Sequence, residues 1–390
     1  MTAPFRHLTP IMAFTISLIG IMAFLQVHSV QSILPLLYQY YSATEIEIGL
    51  AAGGSILAMG LLSPFIGMLS DAYGRASFIR YSVLLISIPI YFSSFAPTIF
   101  IFTLLRFAVG LFVPAMTVCL IAYIAEEFKG QNLAKLMSLY VASSVFGGFA
   151  GRFLLGYFSE YFSWQIAMQI LAGINLVCAI WVFFVLPKSR RFTPNSNFLH
   201  SFSILRSHLT NKSVISSCAL GFCILFCLIS CFSFINLRLS GAPYNLNTAH
   251  LANIFAVYLI GMLITPLTAT ALRRLGVVKT MIISLSFSSL GIFLTLIPYL
   301  WIIIFGLALM CSGIFVAQSA TMSHIAINIK QGRSLATGLY YLSYYGGGFI
   351  GAWICGATYK YWQWNGVVIT MFIVLFLAMT NILLFIKSDA

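Results

Sequence analysis

Acidic residues are almost missing from this 390-residue chain, which has only Glu45, Glu47, Asp71, Glu126, Glu127, Glu160 and Asp389. Charges of both signs together make up 7% of it, against about 25% in a soluble domain. So little charge excludes a solvated globular surface. The sequence also lacks a phosphate-cradling glycine loop, a nucleophile–base motif and a ligand cluster with metal spacing. ATP-driven, hydrolytic and metal-dependent chemistry therefore have no residues to stand on. The chain does not read as an enzyme, and neither cofactor nor metal is expected. A cleavable leader is not expected either: the first apolar stretch exceeds an h-region of about 7–15 residues and has no A-x-A-like end.

The eight cysteines all fall in apolar runs and set up no disulfide framework. Cys223, Cys227 and Cys231 lie at i, i+4 and i+8, on one helix face. They read as small packing residues on a helix seam, with a soft-metal stripe as the lesser alternative.

What is present is apolar length. Hydrophobic residues make up 61% of the chain and the mean hydropathy is +1.01. A membrane helix needs roughly 20 apolar residues. Such runs lie near 11–36, 47–69, 78–96, 98–124, 134–158 and 165–187, and again near 214–237, 248–271, 279–297, 300–325, 335–358 and 366–386. They are continuous rather than alternating, which excludes a membrane β-barrel. The expectation is an all-α membrane protein of twelve transmembrane helices, with the lipid bilayer as its solvent.

The net charge is +13, yet the basic residues gather in no patch or stripe, so nucleic-acid binding is not supported. They sit in the gaps between runs. Sixteen fall on the side that carries the N-terminus and two, Arg238 and Lys360, on the other. By the positive-inside rule both termini are cytoplasmic.

The two sets of six runs resemble each other. "GGFAGRFLLGYFSEYFSW" (147–164) returns as "GGFIGAWICGATYKYWQW" (347–364). Gly147, Gly151, Gly156, Tyr161 and Trp164 recur as Gly347, Gly351, Gly356, Tyr361 and Trp364, whereas Arg152 becomes Ala352. "GLFVPAMT" (110–117) pairs with "GIFVAQSAT" (313–321), and Gly74 with Gly276. Parallel six-helix repeats are one of the internal symmetries of secondary transporters. The polar, basic stretch 188–213 reads as a cytoplasmic linker, with "FLHSFSILRSHL" as a surface-lying amphipathic helix. The division is then 1–187 for the first six-helix bundle, 188–213 for the linker and 214–390 for the second bundle. GxxxG pairs at Gly147 and Gly151, and at Gly347 and Gly351, let helices approach closely. They suit either two bundles rocking against each other or tight static packing.

"GMLSDAYGRA" (67–76) resembles the loop between helices 2 and 3 of the major facilitator superfamily, with Gly67, Leu69, Ser70, Asp71, Gly74 and Arg75 in place. "LLRFAVG" (104–110) resembles the second motif of that family in helix 4, through Arg106 and Gly110. The resemblance covers the whole chain and is strongest to the twelve-helix drug and metabolite efflux branch of bacterial inner membranes. It implies two pseudo-symmetric bundles, a conformational latch at Gly67, Asp71, Gly74 and Arg75, and a cavity lined by helices 1, 4, 7 and 10. On that map Gln31, Arg106, Asn236 and Gln318 face the cavity, and the tyrosines of helix 11 line the bundle interface. Asp71 has Arg75 and Arg80 nearby as partners. The glycine-rich fifth run resembles the antiporter motif of that branch but lacks its Gly-Pro pair, so direction stays open.

Ionisable groups inside spans are rare and face a cavity or the bundle interior. Three stand out: Arg106, Arg152 and His28. At ~1.5 Å per residue they lie roughly 10–12 Å below the outer boundary, all in the first bundle. No carboxylate lies deep in a span, so the buried field is positive and an anionic ligand is its natural complement; arginine offers carboxylate a planar, bidentate pairing. Arg152 could instead snorkel or pair with Glu160. His28 is either a titrating group or a hydrogen-bonded core histidine. The expected function is proton-coupled export, an antiport, of a small anionic organic solute, a class that includes carboxylate siderophores. The competitors are multidrug efflux of neutral or cationic amphiphiles, uptake of an organic acid, and a non-transporting receptor.

Overall fold

Polar capping residues divide the apolar sequence into helices. The computed structural model of the chain describes residues 5–190, 208–328 and 333–386, and every regular element among them is helical. In the first half α1 is Pro10–Tyr40, α2 Glu45–Tyr73, α3 Arg75–Ser93, α4 Ile99–Glu127, α5 Gly130–Tyr161 and α6 Trp164–Val185. In the second half α7 is Lys212–Ser240, α8 spans 248–275, α9 277–294, α10 Leu300–Asn328, α11 333–362 and α12 364–385. Thr9, Thr98, Ser163, Asn211 and Asn247 accept first-turn N–H groups at the starts of α1, α4, α6, α7 and α8. Thr44 and Glu47 form a capping box on α2, so these six runs begin at a residue that satisfies an orphan donor.

Ten described stretches are long and apolar enough to cross a membrane. One of these, Ala336–Phe385, is two passes folded back at Gln363, which has φ 50. The remaining pass, α8, is cut into short pieces by 3₁₀ turns at Phe255–Leu259 and Thr265–Leu267, the second of them at Pro266. Twelve crossings result. Gly74 between α2 and α3 has φ 101, and Gly276 between α8 and α9 has φ 76. Glycine takes such left-handed backbone without strain, and the two sit at the same point of the repeat.

The first six helices pack as one bundle and the last six as another. Large side chains such as Phe184, Trp301 and Phe376 stand exposed around the outside, as suits a surface in contact with a bilayer. The GxxxG glycines act inside the bundles. A Cβ on Gly147 or Gly151 would run into the backbone of Ile21 or Leu25 in α1, and one on Gly347 or Gly351 into Phe222 or Phe226 in α7. These seams join α5 to α1 and α11 to α7, inside each bundle, which favours tight packing of the two readings the sequence left open. The contacts between bundles use other glycines. Gly49, Gly53 and Gly60 of α2 meet Ala352, Phe349 and Tyr345 of α11, Gly156 of α5 meets Ala252 of α8, and Gly356 meets Glu45.

The surface-lying helix expected over "FLHSFSILRSHL" falls mostly outside the described residues. Before it, the chain is tied to the first bundle. Arg80 Nε and the Tyr123 hydroxyl donate to the carbonyls of Leu186 and Pro187 (3.1 and 3.2 Å), and Arg6 Nη2 donates to that of Lys188 (2.8 Å). Arg6 also pairs with the buried Glu127 at 2.7 Å.

Gly147→Leu should force α5 off α1 and lower the unfolding midpoint in detergent, by an equivalent of about 1–3 kcal/mol. Gly173→Ala, where nothing lies within 4 Å, should leave the midpoint in place.

Candidate functional site

The site grows out of a break in α1. Pro35 has no N–H, so the carbonyl of Gln31, four residues earlier, loses its helical donor. The chain answers with a 3₁₀ turn at Ser29–Ile33 between Pro10–His28 and Leu34–Tyr40. The freed Gln31 carbonyl accepts from Asn236 Nδ2 of α7 at 2.8 Å. At the front edge of the same break the carbonyls of Gln26 and Val27 accept from Arg106 Nη2 of α4, at 2.7 and 2.8 Å. Ser55 of α2 lies at 3.5 Å from the same nitrogen.

Arg106 is therefore a brace. The residue is 1% exposed, and its two short bonds add to the 3.4 Å bonds that the Ser29 and Ser55 hydroxyls donate to the same Gln26 and Val27 carbonyls. Two of its nitrogens, Nε and Nη1, have no hydrogen-bond partner.

Arg152 is placed differently. It is fully buried on α5; Nε donates to Gln31 Oε1 at 2.7 Å and Nη1 to the Gly148 carbonyl at 2.7 Å. Its guanidinium carbon lies 4.1 Å from the Tyr258 ring centroid and 4.8 Å from that of Phe255, both on α8 of the other bundle. Rings supply a partial negative face to a cation, so α8 gives Arg152 a partner of modest strength. Nη2 is left without one. The pairing with Glu160 does not occur: Glu160 Oε2 accepts from the Thr248 N–H, 3.0 Å away. Snorkelling is likewise excluded by the full burial.

His28 stands beside Arg152, the two flanking the space above Gly148. Its ring stacks on Phe24 at 6.2 Å, and its Nδ1 has no partner. Gln31 links the bundles twice, through its carbonyl to Asn236 and through Nε2 to Ser233 Oγ at 3.4 Å. The structure thus brings Arg152, His28, Gln31 and Asn236 to one place, with Arg106 one turn of α1 away. Gln318 stands apart, half-buried on α10 beside Tyr344 of the tyrosine cluster.

Sequence reasoning missed Phe255, together with Phe232 and Phe315, whose rings lie 4.5 and 6.1 Å from that of Tyr258. The signal was "FAVY" on α8, two aromatics at i and i+3 facing one way. The tyrosines of α11 stack in two pairs, Tyr340 on Tyr344 and Tyr341 on Tyr345. Tyr345 reaches Gly60 across the bundle interface.

At the expected latch, Gly74 forms the turn and Arg75 bonds Ser70 and Glu126, tying α3 to the end of α4 within one bundle. Arg80 donates to the Leu186 carbonyl. The side chains at Gly67 and Asp71 lie outside the described residues. No group of three or more His, Cys, Asp or Glu placed to hold a metal ion exists among the described residues, and the eight cysteines are free thiols.

Two six-helix bundles that meet around buried polar groups from both define a secondary-transporter architecture. A profile described as the Major Facilitator Superfamily matches residues 16–242, and the chain belongs to that family as a multi-pass membrane transporter. It is 30% identical over 365 residues to an uncharacterized transporter of Buchnera aphidicola subsp. Schizaphis graminum, covering 92% of this chain and 87% of that one. It is also 30% identical over 351 residues to the inner membrane transport protein YnfM of Escherichia coli K12, covering 89% and 84%. Its fold is similar to that of a bacterial homolog of the human lysosomal transporter Spinster, solved in an inward-facing and occupied conformation. The TM-score is 0.78 at 14% identity over 96% of both chains.

Replacing Arg106 by Met should leave the Gln26 and Val27 carbonyls only the long 3.4 Å bonds from the Ser29 and Ser55 hydroxyls and cost up to about 1–3 kcal/mol for each. The check is thermal unfolding: Arg106→Met should fall well below Arg152→Gln, and the reverse order would refute the bracing role.

Proposed function

We propose that this chain exports a small carboxylate-bearing organic solute across a bacterial inner membrane by alternating access, in exchange for protons. One observation carries the reading: Arg152 is fully buried with an open Nη2 and no carboxylate against it among the described residues. A cation held this way keeps most of its desolvation penalty, and an anion arriving at Nη2 removes it. Lipophilic cations meet the opposite field, which disfavours the drug-pump reading for them.

His28 is the proton-carrying group of this proposal, since it stands next to the anion site and its Nδ1 has no competing bond. Arg106 keeps the α1 break open beside it, and Gln31 and Asn236 belong to the site itself. Gln318 contributes through the tyrosine cluster. The bundles are 1–187 and 214–390, joined by 188–213, with both termini on the cytoplasmic side. Gly67, Asp71, Gly74 and Arg75 form the latch at that side. On this orientation the contacts Tyr157–Asn253 and Glu160–Thr248 close the outer end, and the solute leaves when they part.

Reconstituted in proteoliposomes, the wild type should drive labelled carboxylates in the direction opposite to the proton flow set by an imposed pH gradient, and Arg152→Gln should abolish that flux while unfolding at a near-normal temperature. Undiminished flux in Arg152→Gln sinks the reading. A single-cysteine probe in the 241–247 loop, reacting with membrane-impermeant reagent in intact cells, checks the orientation.

A further inference from the structure

The guanidinium of Arg152 presents its Nε and Nη2 protons along one edge, the edge on which a carboxylate docks with both oxygens. In this structure that edge is half occupied. The Gln31 carboxamide oxygen sits on Nε at 2.7 Å, while Nη2 is empty. Gln31 is also the residue that bridges the bundles through Ser233. One side chain thus fills half of an anion's seat and ties the two moving bodies together.

The surroundings of that edge are apolar and flat. Phe255 and Tyr258 lie against the guanidinium, and Phe232 and Phe315 back Tyr258. The four rings come from α7, α8 and α10, so they belong to the second bundle, whereas Arg152 and Gln31 belong to the first. Arg106 has spent its best donor on backbone carbonyls, which leaves one complete docking edge for one carboxylate.

Resting on the carboxylate reading above, we propose that Gln31 holds the place of the ligand's carboxylate on Arg152, and that the ligand is an aromatic monocarboxylate. Its carboxylate displaces the Gln31 oxygen and takes Nε and Nη2 together. Its ring settles on the aromatic cluster of the second bundle. Gln31, once displaced, drops its bond to Ser233, so binding removes a tie between the bundles at the moment the buried charge is neutralised. Gln31 is a positioning residue in this scheme, and Phe255 and Tyr258 are specificity-determining.

The experiment is thermal unfolding of the full chain in detergent, titrated with benzoate, acetate, citrate and benzamide, where a ligand of the folded state raises the midpoint by mass action. Benzoate should act at concentrations at least tenfold lower than acetate or citrate, and neutral benzamide should not act. Gln31→Ala removes the competitor, so benzoate should bind about tenfold tighter, the worth of one hydrogen bond to a charged group. Gln31→Glu fills the seat permanently; the ligand-free midpoint should rise and the benzoate response should vanish. Phe255→Leu should weaken benzoate about tenfold and leave acetate unchanged. A residue that merely props up the fold predicts none of these gains.

Weaker benzoate binding in Gln31→Ala, or a surviving response in Gln31→Glu, overturns the placeholder role. Equal affinity for acetate and benzoate overturns the aromatic assignment while leaving the carboxylate reading in force. If no carboxylate shifts the wild type, and Arg152→Gln still transports in proteoliposomes, the carboxylate reading fails and this proposal fails with it.

Discussion

A guanidinium held out of water without a carboxylate is the constraint around which the centre of this protein is arranged. Removing an ion from water carries a penalty of several kcal/mol even after the surroundings relax. The chain offsets it piecemeal at Arg152: an amide oxygen from α1, a carbonyl from its own helix, two ring faces from α8. None is a full countercharge. Because two of the contributors come from the other bundle, the closeness of the bundles and the comfort of the cation are one quantity.

The break in α1 serves the same centre. A single missing N–H at Pro35 frees the Gln31 carbonyl for Asn236. The resulting 3₁₀ turn presents two more carbonyls to Arg106. The proline therefore converts an ordinary span into an element with acceptors on both sides. Non-helical backbone at membrane depth is tolerated only where protein groups satisfy it, and here each freed carbonyl has a named donor.

How far the sequence reads depends on what carries each feature. Helix number and rough limits were legible because hydropathy over about 20 residues is a property of composition. The repeat was legible because Gly74 and Gly276 perform the same left-handed turn. That Arg152 and Arg106 lie within spans, and are buried there, was legible from the runs around them. What each one touches was not. Arg106 as a brace, the rings under Arg152 and the intra-bundle glycine seams depend on which helices lie side by side, which rotation about each axis decides and no local pattern encodes. Pro35 was visible all along, but its effect needed Asn236, two hundred residues away, to become a site.

The two seams between the bundles differ in what they can hold. Gly356 meets the Glu45 carbonyl much as Gly156 meets that of Thr248. This register sets Gly49, Ala52 and Ser55 of α2 in the places of Ala252, Phe255 and Tyr258 of α8. Against α2 the backbone of α11 comes so near, with Ala352 on Gly49 and Gly53, that no long side chain fits at 352. Against α8 the rings stand back and leave room for Arg152. As the chain now packs, position 352 has no room for an arginine and position 152 does, and the glycines of α2 hold that difference in place.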